Sequence, residues 1–168
     1  NREFIDALNL TDLMQAQDWA TGSTFQSDIG TNNFTTFTVR YTSRGVGAGQ
    51  QLRNFFPVNG DNDSYALERY DFGRGANSIL FGNGSLGGVS SSTTKQARTD
   101  RAFQDVKLTA GSWHLMRATI DFNQPLTERL AVRIAGVAQH GLGWREKQFE
   151  KRKGAFATMT FRPLRDTV

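Results

Sequence analysis

Cysteine is absent and histidine occurs only twice, so disulfides, thiolate metal sites and thiol nucleophiles are excluded, leaving His114 and His140 as the one possible histidine pair. The two lie far apart, each at the end of a strand-like run, and no catalytic or metal pair is read from them. No apolar run reaches the roughly 20 residues that a membrane helix needs. That excludes helical spans but not a transmembrane β-barrel, whose strands turn only alternate residues to lipid. Thus a hydrophobic content of 38% and a mean hydropathy of -0.49 fit a soluble domain and a barrel equally. A leading Met and a signal-like segment are also missing, and the expectation is an internal piece of a longer protein.

Charge is unevenly spread. Residues 1–100 carry 8 Lys+Arg against 10 Asp+Glu, and the remaining residues carry 12 against 6. A basic segment can signal nucleic acid, but here the charges recur at alternate positions of apolar strands, so nucleic acid is not expected as a partner.

The most informative stretch is Glu68–Lys95. Glu68–Arg74 alternates as a short strand, with Tyr70 and Phe72 on one face. Gly75 stops it, Asn77 is placed to cap a single helical turn over SILF, and Gly82 ends that turn. Gly84, Gly87 and Gly88 follow, where the chain can take positive φ or pass close to another backbone. A polar strand, VSSSTTK, closes the stretch. Gly82, Gly84 and Gly87 also spell G-x-G-x-x-G, but a dinucleotide site needs a strand before it and a helix after it, and the order here is the reverse.

This succession resembles the end of the plug domain of TonB-dependent outer-membrane receptors, which reads "ERVEVLRGP", "SALYG" and "G-x-GGVINIVTK". Glu68, Arg69, Arg74, Gly75, Leu80, Phe81, Gly82, Gly87, Gly88, Val89, Thr94 and Lys95 fall on matching positions in order. Glu68, Arg69, Arg74, Gly75, Gly82, Gly87 and Gly88 are taken as its core motif. Val39 and Arg40 fall in register with the family's "F-x-VRG" strand, although Tyr41 stands in place of its glycine.

Upstream, Arg2–Gln17 has near-helical apolar spacing interrupted at Thr11 and Asp12, giving one helix or two short ones. Residues 20–33 are turn-rich and expected to be irregular. Phe34–Thr42 reads as a strand, Gly45–Gln51 as a flexible loop, and LRNFFPVNG as one short strand ended by Pro57. Asp61, Asp63, Glu68 and Asp71 lack the order of a calcium loop. Asp63 is instead placed to cap the turn SYAL.

From about residue 98, FQDVKLTAG, RATIDFN, LAVRIAGVA and GAFATMTFR alternate with period two. NQPLTE reads as a tight connection and GLGWREKQFEK as a longer charged one, the asymmetry of barrel turns and loops, with Trp113 and Trp144 near strand ends. The expected fold class is therefore an α+β plug domain over residues 1–97, truncated at its N-terminus. The antiparallel strands of an incomplete transmembrane β-barrel follow over residues 98–168.

The resemblance implies energised uptake of a scarce substrate (siderophore, cobalamin, glycan or peptide) across the cell outer membrane, through a barrel of about 22 strands. No catalytic or metal-ligating constellation is read from the residues, so no enzyme, no cofactor and no metal are expected. The implied partners are outer-membrane lipid, the substrate, and a TonB-type energising protein that pulls on a segment before the plug. Arg40, Arg69 and Arg74 are implied in plug–barrel ion pairs, and Arg44, Gln50 and Gln51 in an apical substrate loop. The alternative is a soluble, basic, β-rich binding module for glycan or nucleic acid. The two differ in whether the apolar faces of the last four strands are exposed or covered.

Overall fold

A computed structural model describes residues 2–26, 40–43, 50–58, 62–73, 88–143 and 149–163. The chain divides into two compact units, Asn1–Thr94 and Lys95–Val168.

The first unit begins with two short helices, α1 (Arg2–Ala7) and α2 (Leu13–Gln17). The break between them comes earlier than Thr11. Asn9 adopts φ 51°, and the Leu10 and Asn9 amides donate to the carbonyls of Ile5 (2.9 Å) and Asp6 (3.2 Å). This is the Schellman closure, with asparagine at the left-handed position. It turns Leu10 back beside Ile5, where both are buried with Ala16 and covered by Leu8, Tyr70 and Phe72. Asp12 caps α2, accepting from the Gln15 amide at 2.9 Å. Asp12→Ala is expected to cost the full-length protein about 1 kcal/mol, measurable as a lowered denaturation midpoint at unchanged slope.

Strand β1 (Ser23–Gln26) pairs antiparallel with β2 (Arg40–Ser43), which corrects the expectation of irregular chain after residue 20. The chain turns at Gly22 (φ 76°), and the Ser23 hydroxyl donates to the Ala20 carbonyl, which starts the strand.

A second sheet has the order β4-β3-β6-β5, from β3 (Gln50–Arg53), β4 (Phe56–Pro57), β5 (Leu67–Gly73) and β6 (Val89–Thr94). LRNFFPVNG is thus two strands, because Asn54 (φ 51°) and Phe55 (φ 72°) form a reversing turn between paired Arg53 and Phe56. The Asn54 side chain accepts from the Thr94 amide (3.0 Å) and donates to its hydroxyl (2.9 Å). Asp63 caps the 3₁₀ turn Ser64–Ala66, as the sequence suggested. The polar strand β6 is central, parallel to β3 and antiparallel to β5, with Ser90 and Ser92 fully buried.

The second unit is one antiparallel meander in the order β10-β9-β8-β7: β7 (Phe103–Gly111), β8 (Leu115–Thr127), β9 (Leu130–Leu142) and β10 (Phe149–Phe161). The last three strands have 13 residues each, about 43 Å at roughly 3.3 Å per residue. They are longer than the sequence runs suggested. Pro125 sits inside β8 rather than in a turn, next to a register shift and past Asn123, where pairing with β7 ends. With β9 on one side only, its missing N–H is tolerated. The turn is only Glu128–Arg129, and the Thr127 hydroxyl accepts from the amides of Arg129 and Leu130. Likewise β9 runs to Leu142 and β10 resumes at Phe149, so the charged connection is shorter than expected.

Candidate functional site

The two faces of the second unit's sheet differ in chemistry. One carries Val106, Leu108, Met116, Ile120, Phe122, Ile134, Met159 and Phe161, with Leu108 77% exposed and Met116 70%. On the other face, Arg117, Asp121, Asn123, Ala131, Arg133, Ala135 and Val137 are buried. Phe156, a large apolar residue at a polar-face position of its strand, lies on this second face opposite Ala135.

The border of the apolar face runs obliquely across the register. One cross-strand row reads Gln104, Phe122, Ile134, Ala157; on β10 the face continues apolar through Met159 and Phe161. At the other end a row reads Ala110, Met116, His140, Lys151, apolar on β7 and β8 but polar on β9 and β10, beyond which the exposed pair Leu142 and Phe149 is apolar again. A slab of fixed thickness crossed by tilted strands produces this displacement. At the roughly 40° tilt usual for barrel strands, 13-residue strands would rise roughly 30 Å, a hydrocarbon thickness.

The polar face holds a dense cluster of charges, and it lies wholly within this unit. Arg133 grips Asp121 in a bidentate pair, Nε–Oδ1 2.9 Å and Nη2–Oδ2 2.8 Å. The Lys95 ammonium reaches Asp121 Oδ2 at 2.6 Å, with its side chain 2% exposed. Arg133 also donates to the Gln96 carbonyl (3.0 Å) and stacks over the Phe103 ring at 5.0 Å. Asp105 stands directly opposite Asp121 in the register, bringing a second carboxylate to the same face.

Next to this group Asn123 accepts from the Arg98 amide (2.8 Å) and donates to the carbonyls of Arg98 (2.9 Å) and Arg101 (2.7 Å). The strap from Lys95 to Arg101 is thereby bound to β8 and β9. On its exposed side Arg98 donates to Asp100, which holds that carboxyl below the usual carboxylate range.

Sequence reading missed this arrangement. Lys95 closed the motif, while Asp121 and Arg133 were ordinary polar positions in alternating strands. The available signal was a full charge repeating on the face opposite the apolar one.

The residues singled out in advance are dispersed. Arg74, Gly75, Gly82, Gly87 and Arg44 lie outside the described residues, as do Leu80, Phe81 and Trp144. Gly88 takes φ 109°, which an L side chain rarely adopts, and it is buried just before β6. Glu68 and Arg69 lie on β5, and Arg40 opens β2. Arg69 is exposed on the polar face of an edge strand, where it binds Asp71 at 2.8 Å. Gln50 and Gln51 do not form a loop: they open β3 in parallel register with Val89 and Ser90, and Gln51 is buried.

No family model matches the chain. Among curated proteins it is 35% identical over 86 residues to the metal-pseudopaline receptor CntO of Pseudomonas aeruginosa, covering 50% of this chain and 12% of the relative. It is 31% identical over 142 residues to the ferripyoverdine receptor of the same species, covering 79% of this chain and 16% of that one. The ferrichrome outer membrane transporter/phage receptor of Escherichia coli K12 is 28% identical over 117 residues, with 68% and 16% covered. The chain thus spans between 12% and 16% of the length of these relatives.

Of solved structures, that of the ferripyoverdine receptor bound to ferripyoverdine superposes with a TM-score of 0.84 at 21% identity, over 98% of this chain and 23% of that one. The siderophore receptor PiuA of Acinetobacter baumannii gives 0.83 at 22%, over 96% and 23%. The chain belongs to the TonB-dependent outer-membrane receptors. Its fold is that of the family's α+β plug followed by barrel strands, and its place is the outer membrane. The exposed apolar face is a receptor's lipid-facing wall, which disfavours the soluble binding module. The relatives matched are transport receptors, not enzymes.

Proposed function

We propose that the full-length protein takes up a metal chelate across the outer membrane, energised by a TonB-type periplasmic protein, and that it catalyses no reaction of its own. The first unit is the movable stopper and the second is the beginning of the wall. The oblique border of the apolar face supports this reading most, since it fits tilted strands in a bilayer and gives the opposite face to a polar lumen. Arg40, Arg69 and Arg74 are proposed to pair with carboxylates of the wall, with Arg69 exchanging Asp71 for such a partner. Arg44 and the residues leading to Gln50 are proposed to meet cargo.

The test is complementation. Cells lacking the receptor and given the full-length protein are offered radioiron-loaded ferrichrome, radioiron-loaded ferripyoverdine, or a radiolabelled metal–pseudopaline complex. Uptake of one of them, lost on adding an uncoupler or deleting the TonB-type protein, is the expected result. Uptake that survives both treatments, or recovery of the protein in the soluble fraction, overturns the reading.

A further inference from the structure

We propose that the strap from Lys95 to Arg101 is a permanent tether: during import, rearrangement of the first unit stops at Thr94, and the Lys95–Asp121–Arg133 clamp never opens. This rests on the uptake reading above and adds which part of the chain stays still.

The two sides of the Thr94–Lys95 peptide are held by bonds of different strength. Thr94 is held by the exposed Asn54 side chain through neutral hydrogen bonds, as well as by strand pairing. Such bonds each contribute about 1 kcal/mol net and are readily exchanged for water. On the strap side, Lys95 and Arg133 share one carboxylate, with side-chain exposures of 2% and 5%. Lifting the strap would strip the ammonium from Asp121 and break the Arg133 bond to the Gln96 carbonyl. It would also break all three bonds that the buried Asn123 makes to Arg98 and Arg101. Separating a buried, hydrogen-bonded ion pair is far more costly than breaking exposed neutral bonds. A pull on the first unit therefore exhausts the weaker side first, and the load ends at the clamp.

Two single-cysteine reporters in the full-length receptor test this, each an alanine replaced by a residue of similar size. Ala16→Cys lies in the first unit's core, 1% exposed, and Ala97→Cys lies in the strap, 5% exposed. Cells are treated with a small maleimide that passes the general porins, during uptake of whichever chelate of the panel above is imported, with and without uncoupler. Heat-modifiable migration confirms that both variants are folded.

The expected result is that energised import speeds labelling at Ala16→Cys several-fold and leaves Ala97→Cys unchanged. A several-fold rise at Ala97→Cys overturns the tether while leaving the uptake reading intact. No rise at either site while uptake proceeds overturns the movable first unit, and the tether with it. Loss of energised uptake in the unmodified receptor is the separate failure of the uptake reading.

Discussion

Asp121→Ala is expected to lower the unfolding free energy of the full-length receptor by about 3–5 kcal/mol, because it leaves Lys95 and Arg133 buried without the carboxylate they share. The size follows from what remains. An exposed pair such as Arg98–Asp100 loses one partner and the other is solvated by water, so little is lost. Here both cations stay inside, and the Arg133 guanidinium, fixed by the Gln96 carbonyl and the Phe103 ring, cannot swing out without releasing the strap. Replacing all three ionic residues together, Lys95→Met with Asp121→Leu and Arg133→Met, is expected to restore most of the loss, because the two buried cations are removed together with the carboxylate they share. Denaturant unfolding in detergent micelles, compared across wild type, single and triple variants, decides it. A single-variant loss below about 1 kcal/mol would mean that water reaches the clamp and that it behaves as a surface pair.

Much of the fold was legible because period two and glycine grammar are local signals. The faces of β7 to β10 follow from alternation alone, and the caps at Asp12 and Asp63 from an oxygen placed one residue before a turn. What was misread depended on partners distant in sequence. Asn54 and Phe55 reverse the chain with help from Thr94, forty residues on, and nothing in LRNFFPVNG announces that. Gln51 looked like loop chemistry because glutamine beside glycines is common in loops. Its pairing with Ser90 of β6 makes it a buried strand residue. The clamp was hidden for the same reason: an ordinary Lys, Asp and Arg on three segments become a site only when the meander brings positions 95, 121 and 133 together. Family motifs directed attention to arginines instead. Arg69, one of them, binds Asp71 two residues along its own strand.

Ile120→Arg is expected to cost about 2–4 kcal/mol in folding into lipid vesicles, whereas Thr119→Glu, one residue away, is expected to stay within about 1 kcal/mol of wild type. Ile120 lies mid-row between Val106 and Gly136 on the apolar face, where a Cβ on Gly136 would stand only 3.2 Å from its Cγ1. An arginine there has hydrocarbon around it, and its charge can reach water only by thinning the bilayer or by snorkelling along the strand. Thr119 points to the opposite face, directly across from Lys107 and two positions from Arg117, so a new carboxylate meets opposite charge in a hydrated lumen. The contrast separates the membrane wall from a soluble sheet with a bare apolar surface. On such a sheet, arginine at 120 would be solvated and nearly neutral, and the two substitutions would be indistinguishable. Heat-modifiable migration and urea titration in vesicles read the difference. Equal, small effects would remove the bilayer from the account of this face, and with it the reason that its apolar border runs obliquely from β7 to β10.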